Sequence, residues 1–560
     1  MSQKSVWKIK DINSFATKDQ EENRSISESN NSWKSPIIKS FFRCEGKAFC
    51  SRSYFNRKIP ITEWLPKYSR QDAIHDVIAG LTVSLTVIPQ GIAIAVLSGL
   101  QPQYGLYSAF MGPFVYILFG SCKDITVGPT ALLALMTQSL TTRCGTDFVV
   151  LLTFLSGCVI SMLGILRMGF LIDFISLPVS SAFTSAAAIT IATSQINSLL
   201  GIKGNPQDFL SAWELFSRNT HTIRRWDTIL GFSSVIVLLL TRQLKSFDSG
   251  RDTSIMSSCR RVLSRTVWLT SVARNALVVV AGTAVAYFLT NNYHKVTIIG
   301  EVAGGLPSLH LPPFSTTYNG TQYSFVGMAN EVGTSLFLVP LISILESIAI
   351  AKAFATNKSV DATQEMLALG LSNVLGSFVG SMPVTGSFTR TAVNNASGVR
   401  TQMGGIITGV LVLLSLGFLS KAFYYIPKTS LSALILCAMI FMVEYSMIPF
   451  LWKTKKLDFF LFLFTFFCCL LYNLEYGILM GVGLNLLFII YSTARPNIVI
   501  KETTVKGHSV LLVKPDHGLT FPASRHFSES VASSHLHERR DTTLVIDGSH
   551  IVALDATTSK

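Results

Sequence analysis

The chain has 560 residues, of which 49% are hydrophobic and only 14% charged, where soluble domains carry roughly 25%. That is too few charges to clothe so much apolar chain in water, and a mean hydropathy of +0.45 makes lipid the solvent for most of it. The net charge of +14 is spread over an N-terminal arm and several loops, which argues against a nucleic-acid partner and fits basic flanks on apolar spans.

Residues 1–60 are polar and rich in Ser, Asn and Lys, and read as a disordered cytoplasmic arm without a cleavable signal peptide. From Ile74 to about Ser492 apolar runs alternate with short polar loops. The expected spans are 74–97, 104–121, 126–140, 148–168, 170–198, 227–241 and 267–290. After a long polar loop they resume at 331–354, 364–380, 386–397, 403–422, 429–446, 458–474 and 476–493. That makes seven and seven.

Two of these are too short to cross about 30 Å of hydrocarbon as helices. One opens at Val127-Gly128-Pro129-Thr130, the other after Pro383-Val384-Thr385-Gly386. Each is the third span of its half. Gln90 precedes Gly128 by 38 residues, and Glu346 precedes Gly386 by 40. Short, Gly/Pro-interrupted segments at matching places in two halves point to a transporter's central site. Seven is odd, so the second half must enter from the opposite side, as an inverted repeat.

An inside N-terminus places 242–265, Lys352, Lys453 to Lys456 and Arg495 in the cytoplasm, as the positive-inside rule prefers. The loop 199–226 is then external despite Lys203, Arg218, Arg224 and Arg225, so the rule holds only on balance. Loop 291–330 is external too, and its Asn319-Gly320-Thr321 is a candidate glycosylation site. Beyond Pro496, residues 508–513 and 543–554 read as strands of a small α/β unit, too short for an independent domain.

Glu346 is the sole charge between Leu336 and Ala351. A carboxylate there is costly, so it should face a cavity, find a partner or carry a proton. It reads either as an ion- or proton-coupling group or as a helix–helix contact. Arg390 falls in the first turns of the short tenth span, where free amides and the helix dipole already favour an anion. It is either an anion ligand or an Arg snorkelling to the surface. Gln90, beside Pro89, is a ligand or a local hydrogen-bonding residue. Asp173 and Glu444 fall near span ends and read as interfacial. Nine cysteines without a CxxC pair, and histidines without an HxxxH pair in an apolar run, offer no metal site. Without a nucleophile elbow or phosphate loop either, no cofactor and no enzyme activity is expected.

Pro102-Gln103-Tyr104-Gly105-Leu106-Tyr107-Ser108-Ala109-Phe110 resembles the signature of the sulfate permease (SulP) family of anion transporters. Ile88-Pro89-Gln90-Gly91, Asp124-Ile125-Thr126-Val127-Gly128-Pro129 and Ser387-Phe388-Thr389-Arg390-Thr391 also follow that family's pattern. Leu345 to Phe354 is most similar to the animal subgroup of sodium-independent sulfate anion transporters. The resemblance implies an all-α polytopic membrane protein of fourteen transmembrane segments. These would form a 7+7 inverted repeat divided into core and gate, assembled as a homodimer with a C-terminal α/β STAS domain. Residues 61–496 would be the anion transport domain. Residues 497–560 would be a truncated STAS domain, since Val545 to Thr558 is similar to its central strand and D-x-T turn. The implied anion site is Gln90, Ile94, Thr130, Ser387, Phe388, Thr389 and Arg390, with Glu346 at the coupling position. Family members that handle chloride tend to carry Phe at the positions of Ile94 and Thr130, so the aliphatic and polar pair here favours a larger hydrated oxyanion.

The expectation is therefore a multi-pass secondary active transporter in the lipid bilayer, carrying sulfate by exchange or proton-linked transport. A plasma-membrane location is expected before a lysosomal or other endomembrane one. The alternatives are a chloride, bicarbonate or oxalate exchanger, an uncoupled chloride channel, or a voltage-responsive motor without turnover.

Overall fold

The computed structural model describes residues 59–547 apart from 171–175, 205, 207, 249–257, 292–295, 303, 319, 355–359, 473, 506–507, 516–520 and 538–542. Nearly all of the expected N-terminal arm, Asp173, the candidate glycosylation site Asn319 and the turn at Asp555 lie outside the described residues.

Helix α1 (Arg70–Leu97) starts at a reciprocal cap. The Ser69 hydroxyl accepts from the Asp72 amide at 3.2 Å, and the Asp72 carboxylate accepts from the Ser69 amide at 3.1 Å. Pro89 inside it has no amide to donate, so the Leu85 carbonyl loses its helical partner. Helix α2 (Pro102–Phe119) opens with proline at its first position. A Cβ on Gly105 would collide with the Gly91 carbonyl oxygen, so α1 and α2 touch backbone to backbone.

Strand β1 (Val127–Gly128) leads into α3 (Ala131–Cys144), followed by α4 (Thr146–Ile165), α5 (Leu177–Leu199), the short α6 (Phe209–Arg218), α7 (Arg225–Asp248) and α8 (Ser258–Asn291). A hairpin of β2 (Thr316–Tyr318) and β3 (Thr321–Tyr323) precedes the short α9 (Phe325–Val332) and α10 (Ser335–Phe354). Then come α11 (Ala362–Ser377), β4 (Thr385–Gly386), α12 (Phe388–Ala396), α13 (Met403–Phe418), α14 (Lys428–Ile440), the short α15 (Met447–Thr454), α16 (Lys456–Leu471) and α17 (Leu474–Ala494).

Each expected span overlaps a helix, with shifts that have local causes. The span expected at 331–354 is split by Gly333, which ends α9 at a φ of 55°. Helix α5 begins only at Leu177, with Pro178 in its first turn. Six of the described helices are long and apolar enough to cross a membrane, by length and composition. At 14 and 9 residues, α3 and α12 are not.

The helices pack as two groups. Helices α1, α2, α4, α10, α11 and α13 pack on one another, with α3 against α1, α4, α10 and α5 and α12 against α1 and α10. Helices α5, α7, α8, α14, α16 and α17 form the second group, which meets the first where α8 and α14 pack on α1. The contacts recur between halves: α4 on α11 and α2 on α13, α1 on α13 and α4 on α10, α5 on α16 and α7 on α14. This recurrence is the pattern expected of two similar halves.

Beyond α17, β5 (Ile498–Val505) pairs antiparallel with β6 (His508–Pro515), and β6 pairs parallel with β7 (Thr543–Ile546). Helix α18 (Phe521–His537) makes the crossover between them. Of these elements the apolar pattern of the sequence shows β6 and β7 but not β5 or α18.

Candidate functional site: the meeting point of two half-helices

The two shortest strands build the site. Val127 pairs with Gly386 and Gly128 with Thr385 in an antiparallel ladder, the Ser387 amide donates to the Thr126 carbonyl at 3.1 Å, and the Thr126 amide donates to the Thr391 hydroxyl at 3.2 Å. From this ladder α3 and α12 each depart N-terminus first. Thr130 caps α3 loosely, its hydroxyl accepting from the Leu133 amide at 3.5 Å. Ser387 precedes α12 and its side chain caps nothing, which leaves first-turn amides open to a ligand.

Arg390 lies across the ladder and is 1% exposed. Its Nη1 donates to the Pro129 carbonyl at 2.8 Å, whereas its Nε and Nη2 have no partner among the described residues. The guanidinium packs close on the Gly128 backbone, where a Cβ would come 3.1 Å from Nη2. The guanidinium is thus packed in the interior and does not snorkel. Thr385 anchors β4 to α10 by donating to the Ser343 carbonyl at 2.7 Å. On the same helix Glu346 is half-buried and meets the Thr130 hydroxyl only at 3.4 Å. No ion pair joins Glu346 to Arg390 among the described residues.

These groups share one cavity of about 60 Å³. Gln90 and Ile94 of α1, Thr130, Glu346, Ser387, Phe388, Thr389 and Arg390 all line it, so every residue expected at the anion site and the expected coupling acid are brought together. Phe388 is 52% exposed and its ring rests 5.3 Å from that of Phe354. The far wall belongs to the second helix group, with Ala187, Ala188 and Ile191 of α5 facing Leu434, Ile435, Ala438, Met439 and Met442 around α14. Sequence reasoning missed that wall, because small and aliphatic residues in an apolar span carry no signal of their own.

It also missed the buried anchors that hold the ladder. Glu365, 1% exposed, accepts from the Tyr116 hydroxyl at 2.9 Å and from the Ser121 amide at 3.1 Å, pinning the loop that feeds β1. Asp76, fully buried, accepts from the Arg400 and Thr401 amides at 2.9 and 3.1 Å, fixing the chain that leaves α12. The Asn394 side-chain amide donates to the Asp124 carbonyl at 2.9 Å. A buried cation with two unused donors, beside free helix amides, is chemically suited to hold an anion with several oxygens.

The family profile of sulfate permeases matches residues 74–465. A sodium-independent sulfate anion transporter of Bos taurus is 42% identical over 503 residues, spanning 89% of this chain and 82% of that protein. The chloroplastic sulfate transporter 4.1 of Arabidopsis thaliana is 33% identical, over 79% of this chain and 62% of its own length. Among solved structures, the murine solute carrier 26 family member A9 anion transporter in the inward-facing state superposes with a TM-score of 0.78, at 21% identity, over 93% of this chain and 88% of that one. The transmembrane domain of a cyanobacterial bicarbonate transporter, BicA, gives 0.56 at 17% identity, over 75% of this chain and 98% of that one. With most of its length matched by the family profile and the bovine relative aligned over most of both chains, the chain belongs to the sulfate permease family of anion transporters.

Proposed function

We propose that the chain is a secondary active transporter for sulfate, by exchange or proton-linked transport, with the anion seated between the N-termini of α3 and α12. The observation that carries this is Arg390. A buried guanidinium on the lining of a cavity beside uncapped helix amides, with Nε and Nη2 unpaired and no ion pair among the described residues, has donor capacity that an oxyanion can meet bidentately. Gln90 and the hydroxyls of Thr130, Ser387 and Thr389 are placed to meet further oxygens, Ile94 and Phe388 form apolar walls, and Glu346 is the coupling acid. Sulfate is favoured among anions because the bovine and plant relatives carry that name.

In this reading the fourteen principal helices form a seven-plus-seven inverted repeat, supported by the paired helix contacts and the antiparallel β1–β4 ladder. The group around α3 and α12 is the core, which moves against the gate formed by α5 and α14 with their neighbours. The N- and C-termini are cytoplasmic, Asn319 is external and glycosylated, the transporter is a plasma-membrane homodimer, and 497–560 is part of a STAS domain. The test is radiolabelled sulfate flux in vesicles, with and without chloride opposite and with voltage clamped. Saturable sulfate uptake driven by a counter-anion or proton gradient is expected. Chloride current without sulfate turnover would instead mark a channel, and gating charge without flux a motor.

A further inference from the structure

A second cavity, of about 500 Å³, lies along the same three helices, α1, α5 and α14, on the other side of Ile435, which lines both. Two cations reach it: Lys203, from the loop after α5, and Lys428, the first residue of α14. Neither makes an ion pair among the described residues. Lys428 is held in place through its backbone, its amide donating to the Thr297 carbonyl at 2.9 Å, so its side chain is free to serve the cavity. Glu301 is the opposing charge on the lining, which leaves the site one positive charge in excess. Deeper in, Gln138 of α3 is 2% exposed and lines the cavity, and its amide oxygen has no partner among the described residues. That oxygen accepts and is no ligand for an anion, so the anion-attracting charge of the cavity comes from the two lysines, which make no ion pair among the described residues.

We infer that this cavity is a second anion site, a loading site where Lys203 and Lys428 hold an incoming divalent oxyanion before it passes Ile435 to reach Arg390. This rests on the reading of the central cavity as a sulfate site. In the proposed orientation the cavity opens to the outside, because α1 and α5 end there and α14 begins there. Lysine suits such transient holding, because a strongly hydrated point charge draws an anion without the fixed bidentate grip of arginine and so releases it onward. A cleft whose lining carries a net positive charge raises the local concentration of anions.

The experiment compares half-saturation for external sulfate uptake with half-saturation for internal sulfate efflux, in cells expressing the full chain. The variants are the double substitution Lys203→Gln with Lys428→Gln, the charge-preserving pair Lys203→Arg with Lys428→Arg, and Glu301→Gln. The double glutamine variant should raise the external value roughly five- to tenfold, as expected for a divalent ion losing two nearby charges in water, and leave the internal value unchanged. The arginine pair should stay near wild type, Glu301→Gln should lower the external value, and high ionic strength should erase the differences. An unshifted external value in the double variant, or equal shifts on both sides, overturns the loading site. Wild-type protein that moves no sulfate fails the central-cavity reading, and this one with it.

Discussion

The Arg390 guanidinium donates from Nη1 to the carbonyl oxygen of Pro129, 2.8 Å away, and so ties the first turn of one half-helix to the approach of the other. The charge at the centre is therefore shared between two halves of the chain that lie far apart in sequence. One nitrogen fixes the group, the remaining two are without partners among the described residues, and Arg390 lies on the lining of the cavity.

Under the proposed function, Glu346 is the group that would link transport to protons. If it takes up a proton as sulfate binds, Glu346→Gln holds the neutral form permanently. Exchange of sulfate for sulfate should persist in that variant, while dependence on pH and uphill accumulation are lost. Flux measured at two external pH values checks this, and a wild-type pH profile in the variant would make Glu346 a structural contact.

Glu365 should matter for stability rather than for cargo. Replacing it with alanine strands the buried Tyr116 hydroxyl and the Ser121 amide, at a cost of about 3 kcal/mol. Thermal unfolding of the detergent-purified protein should show a clearly lowered midpoint for Glu365→Ala and a smaller drop for Glu365→Gln. An unchanged midpoint for the alanine variant would contradict the anchoring role.

Ile435 should act as the partition between the two cavities it lines. Ile435→Ala is expected to add a leak of small anions that does not saturate with sulfate, read as current under voltage clamp. A variant as tight as wild type would place the barrier elsewhere.

The tail from 497 to 560 should not fold alone. Among the described residues β5 and β7 are both open edges of a three-stranded sheet, and one crossover helix covers little apolar surface. Calorimetry on the isolated segment should show no cooperative transition; a sharp one would refute this.

The half-helices are legible in the sequence because Gly128, Pro129 and Gly386 interrupt apolar runs at matching distances from Gln90 and Glu346. A lone charge in such a run announces itself, and Arg390 and Glu346 do meet at one cavity. What stayed hidden depends on distant partners. Asp76 and Glu365 look like ordinary polar residues near helix starts, and only the fold shows each fastening a loop from the other half. The wall of Ala187, Ile191 and Met439 reads as lipid-facing chain until α5 and α14 are seen across from Arg390. In the tail, β5 alternates too briefly, and α18 is too polar, to stand out from loop.

The most direct test is equilibrium sulfate binding to the purified full chain, comparing wild type, Arg390→Lys and Arg390→Ala at matched expression and unfolding midpoint. Removing one partner of a buried charge-assisted contact should cost about 2–4 kcal/mol, so affinity should fall by roughly thirty- to a thousandfold in Arg390→Ala, with partial retention in Arg390→Lys. Unchanged sulfate affinity in a well-folded Arg390→Ala variant would show that the anion does not sit between α3 and α12.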